Sequence, residues 1–217
     1  AQSSLIKPYL DVYHILRRNG IITSSSFYVS SKKDYETALQ SYPNIEDEVT
    51  FLKEWELMGK SNSIIDGNIL EKFDKKLGYG SLLSSLISDR RIILGEGSTY
   101  QQNYNPRFSE EEMLGILSNS LPKIEKFLDV PRPSIIVAFI SVTFGEYLIY
   151  KFSRRMNIPY LNLRTSKIKN YVTFSEDLLD PISPFADNFT DSEFKPSVKS
   201  LKIANSHYED IHSKKAL

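Results

Sequence analysis

The sequence predicts an α/β fold with a mostly parallel sheet. Two observations carry that prediction: a complete strand, turn, helix, strand unit over residues 133–163, and an amphipathic helix leading into it from Ser109. Within PSIIVAFISVTFGEYLIYKFSRRMNIPYLNL, the run Ser134 to Ile140 is apolar and β-branched, the pattern of a strand buried on both faces. Thr143 and Glu146 have the T-x-x-E spacing of a capping box, so a helix starts there. Phe144, Leu148, Phe152 and Met156 recur at helical spacing and give that helix one apolar face. Asn157 marks its stop, and Ile158-Pro159 leads into a second strand, Tyr160 to Leu163.

The helix upstream opens with the capping box Ser109-Glu110-Glu111-Glu112. Met113, Ile116, Leu117, Leu121, Ile124, Phe127 and Leu128 form its apolar positions, and Pro122 is expected to kink or split it. Asp129 to Pro133 then connects it to the strand. The chain begins in another amphipathic helix, with Leu5, Ile6, Tyr9, Leu10, Tyr13 and Leu16 on one side, Pro8 in the first turn and Asn19-Gly20 at the end. A strand over Ile21 to Ser30 follows, centred on Phe27, Tyr28 and Val29. Residues 32–78 are the most charged stretch, and Phe51 to Leu57 reads there as part of the outer helices. Leu70 to Leu86 keeps helical register on both sides of a Gly78-Tyr79-Gly80 loop. Arg91 to Leu94 is a short strand or helix exit, and Ser98 to Arg107 is a polar loop. A further strand is expected over Tyr171 to Phe174. Beyond Ser175 the chain is turn-rich and ends in a polar helix, Val198 to Lys214. The expected organisation is an α/β domain over 1–175 and a C-terminal extension over 176–217.

Composition narrows the function classes. The chain has 217 residues, enough for one substantial core, and 27 acidic against 27 basic residues, so no global field points to nucleic acid. It has no cysteine, which excludes disulfides, thiolate metal sites and cysteine nucleophiles. No apolar run reaches the roughly 18 to 20 residues of a membrane span, and no signal-peptide layout opens the chain. The expectation is a soluble, cytoplasmic protein with no transmembrane segment; peripheral membrane association stays open. Glycine-rich nucleotide loops, a G-x-S-x-G elbow and H-E-x-x-H are all missing, which removes the usual dinucleotide, triphosphate, hydrolase and zinc-protease readings. His207 and His212 stand five apart, a spacing that does not put two ligands on one helix face, so neither a metal nor a cofactor is expected.

Ligands of open parallel sheets gather at the carboxyl ends of strands. The turn Ser141 to Gly145 lies at such an end and offers helix-start amides; it is either a plain cap or a cradle for an anion. Arg164, directly after the second strand, is placed at the same edge with Lys167 and Lys169, either to hold a phosphate or carboxylate or as part of a solvated loop. Glu146 is accounted for by its capping role. Glu96, between two glycines, is a further loop candidate.

The order of a strand near Arg91, the helix from Ser109, PSIIVAFISVTFGEYLIYKFSRRMNIPYLNLR and a short basic segment before YVTFSED resembles the N-terminal half of GT-B glycosyltransferases, and more narrowly the surface and capsular polysaccharide biosynthesis proteins. The resemblance covers residues 85–177. It implies a Rossmann-like three-layer domain that forms the acceptor side of a cleft, with a glycan acceptor and a nucleotide-sugar donor as partners. It places Thr143, Phe144, Gly145, Glu146 and Arg164 in that cleft as substrate-binding residues, faced by the Glu96 to Tyr100 loop; no catalytic residue is assigned. A second series of strand–helix units and a donor-binding glutamate motif are not found after Ser175. A non-catalytic carbohydrate- or partner-binding module and a nucleotide-sugar epimerase-like protein are the alternative readings.

Overall fold

The computed structural model describes residues 6–59, 64–89, 92, 107–139, 141–165, 172–178 and 195–214. The predicted sites Glu96 and Tyr100, the loop between them, Lys167 and Lys169 lie outside these residues. Among the described residues the order is α1 (Ile6–Arg18), β1 (Ser26–Val29), α2 (Lys32–Ser41), α3 (Ile45–Glu48), β2 (Thr50–Lys53), α4 (Glu54–Leu57), α5 (Gly67–Leu77), α6 (Ser81–Ser88), α7 (Glu110–Asp129), β3 (Ile136–Phe139), α8 (Phe144–Arg155), β4 (Tyr160–Thr165), β5 (Val172–Ser175) and α9 (Val198–Lys214). The fold is mixed α/β with two small sheets. One is the parallel pair β1-β2; the other is a mixed three-stranded sheet in the order β3-β4-β5, in which β4 and β5 run antiparallel and β3 and β4 are the parallel neighbours. The Ile136 amide donates to the Pro159 carbonyl at 2.8 Å where β4 begins. The chain divides into two compact units, 1–160 and 161–217.

In the first unit, β1, α2, α3 and β2 make a parallel crossover that charge-rich composition hid. Phe51 and Leu52 lie in a strand, not a helix, and helix resumes only at Glu54. The reason is tertiary: Phe51 pairs in register with Phe27, their rings 5.6 Å apart, and packing of that kind outweighs the weak local preference of a short charged window. Ile6, Leu10 and Tyr13 of α1 close over Val29, Tyr35, Ala38, Ile45 and Val49 to form one core. β1 is shorter than the Ile21 to Ser30 run, whose residues 21–25 are exposed or half-buried.

The rest of the unit is helical. α5, α6 and α7 pack on α8, whose Phe144, Leu148 and Phe152 are fully buried. The Ser109 capping box forms in both directions, with the Glu112 amide 3.1 Å from the serine hydroxyl and the Ser109 amide 2.8 Å from the Glu112 carboxylate. Pro122 does not split α7, which runs 20 residues through it. A proline inside a helix costs about 3 kcal/mol. Leu121 and Ile124 beside it are both fully buried, and each such side chain returns about 1.5–3 kcal/mol. α8 stops where expected, with Asn157 at φ 53°, a left-handed conformation asparagine tolerates well. β3 differs from the expected doubly buried strand, since Ile135 just before it and Val137 within it are 46% and 43% exposed.

In the second unit β4 and β5 form an antiparallel ribbon with Asn162 opposite Ser175, Leu163 opposite Phe174, Arg164 opposite Thr173 and Thr165 opposite Val172. β4 runs two residues past the predicted end. α9 is the predicted terminal helix; there His212 stacks on Tyr208 and its Nδ1 lies 3.0 Å from the Tyr208 carbonyl oxygen, an i, i+4 arrangement that gives this histidine a local role.

Candidate functional site

The start of α8 concentrates more buried polar groups than any other described part of the first unit. β3 leads into Ser141, whose hydroxyl is hydrogen-bonded to the Tyr160 hydroxyl. Thr143 caps the helix, its hydroxyl accepting from the Glu146 amide at 3.4 Å. From the end of α6, Asp89 reaches across and accepts from the Phe144 amide at 2.9 Å. Asp89 is 2% exposed and brings a negative charge to the positive end of the helix, where such a charge is favourable. At least two of the amides expected to receive a ligand therefore already have carboxylate or hydroxyl partners.

Gly145 explains the close packing of this turn. The phenol of Tyr28, from the centre of β1, lies directly on it: a Cβ at this position would stand 2.8 Å from Tyr28 Cε2 and closer still to Cζ and the hydroxyl. The Tyr28 hydroxyl donates to the Glu54 carboxylate at the start of α4, and Glu54 is 1% exposed. β1, α4 and α8 are thus tied together at one point. Replacing Gly145 by any residue with a side chain removes the space the phenol uses.

Glu146, also buried, is flanked by two further phenols. Tyr9, from α1, has a buried hydroxyl with no hydrogen-bond partner, and burial together with the Glu146 charge pushes its ionisation up to about 12. Tyr160 is shifted upward as well, chiefly by burial, with the Ser141 hydroxyl partly opposing the shift. Both phenols are therefore neutral across the physiological range and are not phenolate nucleophiles. Among the described residues no group of three or more His, Asp or Glu side chains is arranged to hold a metal ion.

No protein-family model, curated protein or solved structure matches this chain.

Of the predicted site residues, Thr143, Phe144, Gly145 and Glu146 come together at the α8 start and all are buried. Arg164 belongs to the second unit. Its Nη2 donates to the Leu178 carbonyl at 2.5 Å, while its Nε is buried without a hydrogen-bond partner. Tyr28, Glu54 and Tyr9 were missed because each stands in a stretch whose periodicity only marks it as strand or helix. The one available signal was Gly145 itself: a glycine in the first turn of an otherwise well-formed helix announces a close approach by something.

Proposed function

We propose that the chain supplies the acceptor side of a GT-B-like glycosyltransferase of surface or capsular polysaccharide synthesis, with a Rossmann-like three-layer organisation and a cytoplasmic site of action. A glycan acceptor and a nucleotide-sugar donor are its proposed partners, the donor being held by a second domain. The reading is supported by one observation above the others: β3, the capped turn, α8 and β4 occur in the order and places on which the resemblance rests, with Arg164 close to the end of β4. Among the described residues no helix is long and apolar enough to cross a membrane.

The closed state of the α8 start favours a second reading. With Phe144 N–H on Asp89 and Gly145 under Tyr28, a ligand reaching this turn has to displace a phenol, which fits a non-catalytic glycan- or partner-binding module whose turn is purely structural. The discriminating assay incubates the full natural protein with a panel of nucleotide sugars and oligosaccharide acceptors and follows products by mass spectrometry. A product that disappears in Arg164→Ala supports the transferase. Acceptor binding without any product from a folded protein supports the module. The chain of 217 residues by itself is expected to give no product, because orienting two sugars in a closed cleft is worth roughly 7–11 kcal/mol of barrier and one side of the cleft cannot supply it.

A further inference from the structure

The β4-β5 ribbon is inverted. The face carrying Asn162, Arg164, Thr173 and Ser175 holds its most buried residues, with Asn162 fully buried and Ser175 1% exposed, whereas Phe174 and Val172 on the other face are 47% and 53% exposed. Strands paired only for stability place their apolar side inward. Here the inward side also carries unmet hydrogen-bonding capacity: both Asn162 Nδ2 and Oδ1, and Arg164 Nε, are buried without partners. Ser175 is different, since its hydroxyl donates to the Asp177 carbonyl at 2.6 Å and accepts from the Asp177 amide at 3.2 Å. Such groups are almost always paired in folded proteins, and clusters of exceptions call for a specific cause.

We propose that this face is a binding site for a small anionic molecule that also carries hydroxyl groups, of the sugar-acid or sugar-phosphate class. Asn162 and Arg164 are two residues apart on one strand face, about 7 Å along the strand, the span of a single sugar unit. The Arg164 Nε–H and the Asn162 Nδ2 are donors and call for acceptor oxygens, which an anionic group supplies in a form that a guanidinium holds well. Asn162 Oδ1 is an acceptor and calls for a donor, which a bare anion lacks and a hydroxyl provides. The choice of a sugar as the carrier of both rests on the function proposed above; the demand for an anion with a hydroxyl comes from the side chains alone.

The test is an NMR titration of the native chain, following the Arg164 Nε–H and Asn162 side-chain amide resonances with glucuronate, glucose 1-phosphate, glucose and inorganic phosphate at millimolar concentrations. Saturable shifts at both residues with glucuronate or glucose 1-phosphate are expected, and which of the two binds identifies carboxylate or phosphate as the anion. Glucose and inorganic phosphate are expected to bind at least about tenfold more weakly. Arg164→Lys should weaken the preferred probe about tenfold or more, since an ammonium cannot reproduce the Nε donor. Resonances unmoved by every probe overturn the proposal, as does phosphate or glucose binding as tightly as the combined ligands. Because the readout is binding at two named residues on the native chain, it stands whether or not the full protein transfers sugar, and a failed titration leaves the transfer assay untouched.

Discussion

Replacing Gly145 by alanine reverses the usual sign of a glycine-to-alanine change in a helix. In a helix interior the substitution stabilises by up to about 1 kcal/mol, because glycine loses more backbone freedom on folding. Gly145 lies in the first turn of α8, so the gain is at the low end of that range. Against it stands the Tyr28 ring, 2.8 Å or less from the new methyl at its three nearest atoms. Forcing an extra carbon into such a site costs about 1–3 kcal/mol. If Tyr28 swings aside instead, buried Glu54 loses a hydrogen bond from the phenol, a loss of about 1–3 kcal/mol. Either route leaves a net destabilisation of about 1–3 kcal/mol. Urea denaturation measures it: with a slope near 2 kcal/mol per molar, the midpoint should fall by about 1 M. The same substitution in a Tyr28→Ala background meets an open space and should be neutral or mildly stabilising, giving a coupling of about 2 kcal/mol between the two positions. A rise in the midpoint of Gly145→Ala alone, or an equal cost in both backgrounds, would refute the contact as the reason this residue is glycine.

Two further outcomes follow from the same cluster. Asp89→Ala removes the carboxylate that receives the Phe144 amide and should lower stability by about 1–2 kcal/mol, whereas Asp89→Asn keeps an acceptor and should cost less; equal losses in urea titrations would show that the hydrogen bond contributes nothing beyond charge. Stability should fall as pH rises from about 10 towards 12. In that window the unfolded chain releases the Tyr9 proton and the folded chain, with Tyr9 pushed up to about 12, retains it. Such a shift is worth at most about 3 kcal/mol, reduced to about 1–2 kcal/mol by solvent screening of the part of the ring that is not buried. Tyr160 adds to the same slope because its ionisation is also raised. Tyr9→Phe should flatten the alkaline decline, and an unchanged slope in that variant would remove Tyr9 from the account.

How far the chain can be read without coordinates depends on whether a signal is local. The Ser109 box, the Asn157 stop, the Gly78-Tyr79-Gly80 break and the apolar face of α8 are each written within one or two turns of chain, and each appears where the spacing places it. β2 was not legible, because Thr50 to Lys53 is a strand only by virtue of its register with Ser26 to Val29, more than twenty residues earlier. The antiparallel turn of β5 against β4 is hidden in the same way: a four-residue run such as Val172 to Ser175 carries no mark of direction. At the α8 start only the local part of the arrangement was legible in the sequence. Thr143 and Glu146 announced a capped helix, and capping is what Thr143 does. The reaches of Asp89 across 55 residues to the Phe144 amide, and of Tyr28 across a much longer stretch to Gly145, are products of the fold. Asn162 shows the converse. Its burial could be expected from a place in the central strand, but the lack of any partner for its amide appears only once the surrounding chain is in place, and that absence turns an ordinary strand residue into a candidate ligand contact.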